Sequence, residues 1–300
     1  MDVALSIGGI YLFILLGFSA KRYFAERLHE STLVLLSIYF LQPMLVFWGL
    51  TRRPIDRGAV EVPLLFVGFI LLFLLLALPL AGRFFTDPKE RSIAIVSSII
   101  GNTGNLGIPL GIALFGEASV LYTSIINLAN VFLVYTLGVY FYSRGSFSVR
   151  ESLLNILKLP AIWFGLGAIA FNLSGASLPR SLELPLTMGA YSTMVLQLMI
   201  FGIYLATVKL RRLRKELAFF VTGAKFVVIP LLAWGLLPLV GLDPLLFNVL
   251  LLELIVPMAV MNVNLAALYD CRPDQVAFLT FLTSLLFLGY LFVMVRWGFR

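Results

Sequence analysis

The sequence predicts an all-α polytopic membrane protein of ten transmembrane helices, built as two inverted five-helix repeats. Three observations support this: an extreme composition, ten long apolar runs, and two matching interrupted runs. Of the 300 residues, 61% are hydrophobic and 12% are charged, and the mean hydropathy is +1.02. Soluble domains are roughly 45–50% apolar and about 25% charged. The chain is therefore expected to lie in a lipid bilayer.

The composition also excludes several classes of protein. One histidine and one cysteine leave too few ligands for a structural zinc site, a disulfide framework or an iron–sulfur cluster. The net charge is +7, and the basic residues lie mainly in short loops between apolar runs. This arrangement is typical of a polytopic protein and not of nucleic-acid binding. The sequence contains no Gly-x4-Gly-Lys-Ser/Thr run, so no ATP site is predicted. We therefore expect no cofactor, no metal and no nucleic-acid partner.

Ten apolar segments are long enough to cross about 30 Å of hydrocarbon, which takes roughly 20 residues of helix. Asp2 stands where a secretory signal peptide would carry a cation, so the first segment is expected to remain in the protein. The ten predicted spans are Val3–Ala20, Ser31–Leu50, Val62–Gly82, Ser92–Phe115, Ser119–Tyr142, Leu153–Leu173, Leu184–Val208, Leu217–Val240, Pro244–Leu268 and Gln275–Trp297.

The loop charges predict the orientation, because lysine and arginine accumulate on the cytoplasmic side. With the N-terminus outside, 14 of these residues fall in inner loops and 6 in outer segments. The largest inner cluster runs from Lys209 to Lys215. Both termini are therefore expected to be extracytoplasmic, in a plasma (cell inner) membrane.

The connection Ser143–Glu151 divides the chain into predicted repeats at residues 1–145 and 146–300. Five spans in each half make the two halves insert upside down relative to each other. The fourth span of each half follows an Asp-Pro pair, Asp87-Pro88 or Asp243-Pro244, which is typical of a helix N-cap and first residue. Glu90 would complete a capping box in the first repeat. Paired, interrupted helices in inverted repeats indicate a secondary transporter with its site near the bilayer midplane.

The first interrupted span contains three glycines, two asparagines and a proline between Gly101 and Pro109. Pro109 has no N–H, so it should free the carbonyl of Asn105, and Gly104 and Gly107 should allow close backbone approach. Unpaired backbone is tolerated in a membrane only where it lines a polar cavity. The alternative is a packing kink in which the asparagines join neighbouring helices.

The second interrupted span follows the same logic between Glu253 and Asn264. Pro257 should free the carbonyl of Glu253. Where two such breaks cross, the positive ends of the half-helices favour an anion, and asparagine amides can donate to a carboxylate. We expect Asn102 and Asn262 to contact the carboxylate directly, with Asn105 and Asn264 as supporting ligands.

Two charged residues lie deep in predicted spans. Lys225 is ten residues beyond Lys215 and Glu253 is nine beyond Pro244, about 15 Å along a helix. Buried ionisable groups in membranes are costly and are usually paired or functional, so we expect the two to approach each other. The pair could lock two helices together, Lys225 could replace a bound sodium, or Glu253 could take up a proton; snorkelling is the remaining alternative.

The fourth span, with Asn102-Thr103, Gly107-Ile108-Pro109-Leu110 and Phe115-Gly116, resembles the auxin efflux carrier family. The stretch from Pro257 through Ala266 and Tyr269 to Pro273-Asp274 resembles the family's ninth span. A proline stands in the plant carriers where this chain has Asn262. The nine-residue Ser143–Glu151 connection is similar to that of compact prokaryotic members.

This resemblance implies a fold like that of the bile-acid sodium symporters and sodium/proton antiporters. In it, helices 1, 2, 6 and 7 form a scaffold, and helices 3–5 and 8–10 form a mobile transport domain that moves like an elevator. It also implies a homodimer through the scaffold helices.

The function expected from these features is sodium-independent secondary transport of a small organic anion, which could be a monocarboxylate, a dicarboxylate or an auxin-like acid. One alternative is a sodium-coupled organic-anion symporter of the bile-acid type, and another is a membrane sensor that moves no substrate. An intramembrane enzyme is not expected, because the sequence has no His-Glu-x-x-His motif and no aspartate pair in its spans. The expected partners are the lipid bilayer and the organic acid.

Overall fold

The computed structural model describes residues 2–143, 148–208 and 214–299, and within these ranges the chain is helical with no β-strand. Its α-helices are α1 (Asp2–Phe24), α2 (Glu30–Leu36), α3 (Gln42–Thr51), α4 (Arg57–Phe84), α5 (Pro88–Ile99), α6 (Ile108–Phe115), α7 (Val120–Leu133), α8 (Val139–Tyr142), α9 (Val149–Leu157), α10 (Pro160–Leu173), α11 (Arg180–Thr207), α12 (Lys215–Gly223), α13 (Ile229–Leu236), α14 (Pro244–Ile255), α15 (Met261–Leu268) and α16 (Pro273–Val293). Shorter 3-10 and π-helical turns join several of these helices end to end.

Seven continuous helical stretches in the described ranges are long and apolar enough to cross a membrane. They are Leu5–Arg27, Glu30–Thr51, Arg57–Phe84, Glu117–Tyr142, Arg180–Thr207, Lys215–Val240 and Pro273–Gly298. Three shorter apolar helices, Thr103–Phe115, Pro160–Leu173 and Pro244–Ile255, lie in the remaining predicted spans. The chain is thus a multi-pass membrane protein, while ten crossings in two inverted repeats stay a prediction.

The sixth predicted span is shorter than expected. Leu153–Leu173 was predicted as one helix, but α9 ends at Leu157 and α10 begins at Pro160. Proline disfavours a helical residue before it, and Leu159 has an extended backbone with ψ of 117°. The 14 residues of α10 extend only about 21 Å.

Both predicted aspartate caps are confirmed. The Asp87 side chain accepts a hydrogen bond from the Lys89 N–H at 2.7 Å, and Asp243 accepts one from the Leu246 N–H at 3.1 Å. In each helix the proline occupies the first position, where a missing N–H costs nothing. The two helices that lead into the interrupted segments are therefore started by the same device.

The predicted capping box at Glu90 is wrong. Instead of turning back to its own helix start, the buried Glu90 carboxylate accepts hydrogen bonds from Arg214 and Arg272, both at 2.5 Å. Arg272 also pairs with Asp87. Two arginines from distant parts of the chain offer a charged carboxylate stronger hydrogen bonds than a neutral backbone N–H would.

Three π-helical turns, Ser37–Leu41, Thr103–Gly107 and Ala224–Val228, end two residues before a proline. The prolines are Pro43, Pro109 and Pro230. Each proline lacks the N–H that would bond the carbonyl four residues earlier, and a wider turn accommodates the loss. Lys225 lies in the third of these turns.

The chain forms two compact units. The first comprises Met1–Glu61, Gly104–Leu128 and Leu154–Thr207, and the second comprises Val62–Thr103, Ala129–Leu153 and Val208–Arg300. Each unit draws on both predicted repeats. Helices 1, 2, 6 and 7 of the predicted scaffold fall in the first unit, whereas the predicted fourth and fifth spans are divided between the two. The scaffold and transport-domain assignment stays a prediction.

The first unit is held together by close helix packing. Helices α1 and α11 pack along much of their length, and α3 packs against α10 and α11. Its buried cluster consists of Leu45, Trp48, Ile108, Val120, Ala190 and Met194. The second half of the first interrupted span contributes Ile108 to this core.

Part of the predicted inner loops lies outside the described residues, including Lys209, Arg211, Arg212 and Arg144. The end of the chain, Arg300, lies outside them as well. The orientation of the protein in the membrane therefore stays a prediction from the loop charges.

Candidate functional site

The two interrupted segments meet inside the second unit. Helix α5 ends at Ile99, and Ile100 adopts an extended backbone with ψ of 100°. Helix α14 ends at Ile255, and Val256 is extended with ψ of 147°. The two extended stretches lie antiparallel, with Gly101 bridged to Met258.

Backbone hydrogen bonds join the crossing. The Asn102 N–H donates to the Pro257 carbonyl at 2.8 Å, and the Ala259 N–H donates to the Ile100 carbonyl at 3.3 Å. These bonds satisfy backbone groups that the two broken helices leave free, as buried backbone requires. The crossing is thus a two-stranded junction built into a bundle of helices.

Gly101 permits the close approach of the two strands. A Cβ at this position would lie 2.9 Å from the Cγ2 of Val256 and 3.6 Å from the Glu253 carbonyl oxygen. Valine is stiff about χ1, so this neighbour cannot easily turn aside. A glycine is therefore required by space at this crossing.

Asn262, in the first turn of α15, stabilises the junction through its side-chain amide. Its Nδ2 donates to the Ile100 carbonyl at 3.2 Å and to the Ala259 carbonyl at 3.0 Å, and its Oδ1 accepts from the Tyr142 hydroxyl at 3.3 Å. An asparagine amide has two N–H donors. Both are used on backbone carbonyls, so the expected direct carboxylate contact from Asn262 has no donor left in this conformation.

Asn130 stabilises the first extended segment, which contains Gly101. Its Nδ2 donates to the Gly101 carbonyl and to the Thr103 hydroxyl, both at 3.0 Å. Neither Asn130 nor Tyr142 was predicted from the sequence, although an asparagine in an apolar span is a usable signal. Both residues belong to the second unit, on the chain that follows the fourth span.

Three buried polar groups near the crossing have no hydrogen-bond partner. They are the Nδ2 of Asn102, the Oδ1 of Asn130, and both carboxyl oxygens of Glu253. Asn102 is 4% exposed and Glu253 is 1% exposed. Buried polar groups are nearly always satisfied, so one free donor and two free acceptor groups make this junction the candidate ligand site.

An ion pair between Lys225 and Glu253, one of the alternatives left open by the sequence, is not found among the described residues. The Lys225 Nζ donates to the Val256 carbonyl at 3.0 Å, while the Glu253 carboxylate receives no hydrogen bond in the described part of the chain. Val256 closes α14 in an extended conformation, and its carbonyl lies where the ammonium can reach it. Lys225 thus stabilises the break itself.

The other predicted site residues differ in how far they are exposed. Asn264 is exposed, and it follows Asn262 by two residues, a spacing that places side chains on different faces of a helix. Asn105 is partly exposed, and Gly107 and Pro109 are buried in the segment that belongs to the first unit. At Gly104 a Cβ would lie 2.7 Å from the Asn127 Oδ1, so close approach is also found there.

The acidic, histidine and cysteine residues in the described ranges include no group of three that could hold a metal ion. The side chains described at the junction include amides, a carboxyl group and one ammonium. This chemistry suits recognition of a small polar solute in a dry environment, where an unpaired hydrogen-bonding group is most costly.

Two comparisons with known proteins identify the family. A family model described as a membrane transport protein matches residues 3–295. An uncharacterized transporter of Methanocaldococcus jannaschii is 27% identical over 307 aligned residues, which cover 99% of this chain and 97% of that relative. The chain therefore belongs to the auxin efflux carrier family of membrane transport proteins.

Proposed function

We propose that this transporter carries a small organic anion, a carboxylate, and that the anion binds at the crossing of the two interrupted helices. The observation that supports this most directly is the buried Asn102 amide, whose Nδ2 has no partner. A carboxylate is an acceptor without donors, and it would complete the hydrogen bonding of this group. No ATP site is expected from the sequence, so the energy would come from solute gradients or the membrane potential.

The roles of the site residues follow from their contacts. Asn102 contacts the carboxylate, while Asn262 and Asn130 position the strands through their bonds to Ile100 and Gly101. Pro257 follows the end of α14 at the second break, whereas Pro109, expected to break the first span, lies inside the helical stretch Thr103–Phe115. The first break lies before that stretch, where Ile100 is extended. Asn105 and Asn264 are retained as supporting ligands in the proposal, together with Gly104 and Gly107 as positions of close approach.

The transport cycle we propose is an elevator movement that is independent of sodium. In this proposal, helices 1, 2, 6 and 7 form the scaffold and helices 3–5 and 8–10 carry the substrate, as the family resemblance implies. Lys225 would supply a fixed positive charge beside the junction, where sodium-driven relatives would hold a sodium ion. Its bond to the Val256 carbonyl places that charge on the strand itself.

Substitution of Asn102 tests the site. A hydrogen bond to a charged group contributes about 1.5–3 kcal/mol, which corresponds to roughly 10- to 150-fold in affinity. Asn102→Ala should weaken carboxylate binding by this factor, and Asn102→Asp should nearly abolish it, because like-charge repulsion is added to the lost donor. Both variants should fold, because the Asn102 Nδ2 makes no hydrogen bond that the substitution would remove.

Binding is measured as ligand-induced thermal stabilisation of the purified protein with malate, malonate, pyruvate and indole-3-acetate. A ligand that binds the native state raises its apparent stability by mass action. Uptake into proteoliposomes then separates a transporter from a sensor that binds without flux. Wild-type affinity in the Asn102→Asp variant would show that the carboxylate binds elsewhere.

A sodium-coupled symporter is the second candidate, and one observation favours it. The Glu253 carboxyl oxygens and the Asn130 Oδ1 are buried acceptors without partners, and oxygen atoms are the ligands that hard cations prefer. Sodium-driven uptake in the same proteoliposomes, lost when sodium is replaced by choline, would select this candidate over sodium-independent transport.

A further inference from the structure

Two ionisable side chains lie buried in the second unit without a counter-ion. Lys225 and Glu253 are each 1% exposed, and no ion pair in the described ranges includes either of them. Lys225 donates to the Val256 carbonyl at the end of α14, and Glu253 lies three residues before Val256 in the last turn of the same helix. They therefore share one buried site whose total charge must be considered as a whole.

The charge of this site changes when a substrate binds. With Lys225 protonated and Glu253 ionised, the empty site is neutral. A bound monocarboxylate would give it a net charge of −1, and a net charge in the membrane interior is strongly unfavourable. One added proton on Glu253 restores neutrality, so the empty and the loaded sites are both uncharged.

We propose that Glu253 takes up one proton with each substrate, so that the protein is an electroneutral proton–monocarboxylate symporter. This inference rests on the proposed function, in which a carboxylate binds at the junction. It specifies the coupling ion, the stoichiometry of one to one, and the charge of the substrate. A dianion would leave the protonated site at −1, which favours monoanions over malate or malonate.

The surroundings of Glu253 support a proton at this position. Helix α14 packs against α13 and the Ala224–Val228 turn, and the titratable side chain on those segments is Lys225. Tyr142 lies across the junction and donates to Asn262. Helix α16 reaches the junction through Thr283, and of its titratable groups Asp274 is nine residues away, or about 14 Å, while the Tyr290 ring packs on Phe226.

A proton also needs fewer partners than a metal ion. A carboxyl group accepts a proton on one oxygen, and Glu253 has both oxygens free. A metal ion would need several oxygen ligands around it, and besides the Glu253 carboxylate the unpartnered side-chain oxygen described near the junction is the Asn130 Oδ1. The geometry thus favours proton uptake.

The first experiment uses the wild-type protein. In weakly buffered detergent solution, pyruvate or indole-3-acetate should cause uptake of about one proton per bound anion. In proteoliposomes, an acidic exterior should drive pyruvate accumulation by about tenfold per pH unit, since one proton moves per anion. A potassium diffusion potential set with valinomycin should leave the rate unchanged.

The second experiment uses Glu253→Gln, which mimics the protonated side chain. The loaded site of this variant is neutral, so exchange of labelled for unlabelled pyruvate should continue. Its empty site carries the charge of Lys225, so pH-driven accumulation should be lost and net uptake should become sensitive to voltage. Asp243→Asn is the matched control, because it makes the same change at the start of the same helix and asparagine also caps well; it should keep proton-driven accumulation.

Several outcomes would overturn the inference. One is pyruvate binding without proton uptake, and another is accumulation that follows voltage or a sodium gradient. A third is a Glu253→Gln variant that retains pH-driven accumulation, which would move the proton to another residue. If no carboxylate in the panel binds, the proposed function fails first, whereas carboxylate binding without proton uptake removes the coupling alone.

Discussion

The asparagines of the two interrupted segments differ in what their side chains do. Asn262 is buried and uses its whole amide on two carbonyls and the Tyr142 hydroxyl. Asn102 is buried with a free donor, and Asn264 is exposed. The same residue type therefore holds the backbone at one position and is available for a ligand at another.

Asn262→Ala should lower the stability of the protein in the absence of any ligand. It removes the hydrogen bonds of the Asn262 amide to the Ile100 and Ala259 carbonyls and to the Tyr142 hydroxyl, and a typical hydrogen bond contributes about 0.5–1.5 kcal/mol. Asn264→Ala is the control, since an exposed substitution usually stays within about 0.5 kcal/mol. The measurement is thermal unfolding of the two purified variants. Equal melting temperatures would contradict the positioning role of Asn262.

At the same scale, the sequence was sufficient to select Asn102, Glu253 and Lys225 but not to pair them. Their types are unusual in apolar spans, so composition along the chain is enough to find them. Their partners depend on which carbonyl the break presents, and the Lys225 ammonium binds the Val256 carbonyl. That choice is made by the crossing of two distant strands, which no local pattern encodes.

At the scale of elements, helices α1 and α11 pack so closely that glycines are required on both. A Cβ on Gly17 would lie 2.7 Å from the Met199 carbonyl carbon, and one on Gly202 would lie 2.8 Å from the Ile14 carbonyl carbon. Small residues allow membrane helices to approach in this way and gain van der Waals contact. The contact is reciprocal and joins two of the longest helices of the first unit.

Gly17→Leu should therefore force these helices apart. Overpacking of a close contact costs typically 1–3 kcal/mol, and here the obstacle is backbone, which cannot rotate away. Gly9→Leu lies on the same helix, where no atom lies within 4 Å of the added Cβ, and it should leave the melting temperature near wild type. A variant at Gly17 as stable as the one at Gly9 would mean that the helices are not in contact.

The interruptions themselves were predictable from local rules. Proline and glycine act on their own backbone, so the breaks within the fourth and ninth spans and the aspartate caps before them follow from short stretches of sequence. The π-helical turn that holds Lys225 before Pro230 obeys the same rule and was not predicted. The sixth span was predicted as one helix because its apolar residues run on without a gap. The prediction gave too little weight to Pro160, which disfavours a helical backbone at Leu159.

At the scale of the whole molecule, each compact unit is assembled from segments far apart in the sequence. In the second unit an ion-pair network joins Asp87 and Glu90 to Arg214 and Arg272. The Glu90 side chain is only 2% exposed, and its hydrogen bond raises the pKa of Arg214. One buried carboxylate thus connects the start of the fourth predicted span with the start of the eighth and the tenth. Such long-range pairing was not visible in the sequence, where Glu90 resembled a local cap.

Glu90→Gln should destabilise the protein by about 1.5–3 kcal/mol, the range for hydrogen bonds to charged groups. The neutral amide weakens both arginine contacts and keeps the volume, so the loss reports charge and not packing. Glu216→Gln is the matched control, because Glu216 pairs with the same Arg214 at 3.6 Å but has a side chain that is 62% exposed, and exposed pairs contribute little.

Thermal unfolding at low and high salt measures both variants. We expect a lower melting temperature for Glu90→Gln at either salt concentration, since a buried pair is poorly screened, and no change for Glu216→Gln. Equal losses in the two variants, or a Glu90→Gln loss that disappears in high salt, would show that the network lies on the surface and does not hold the distant segments together.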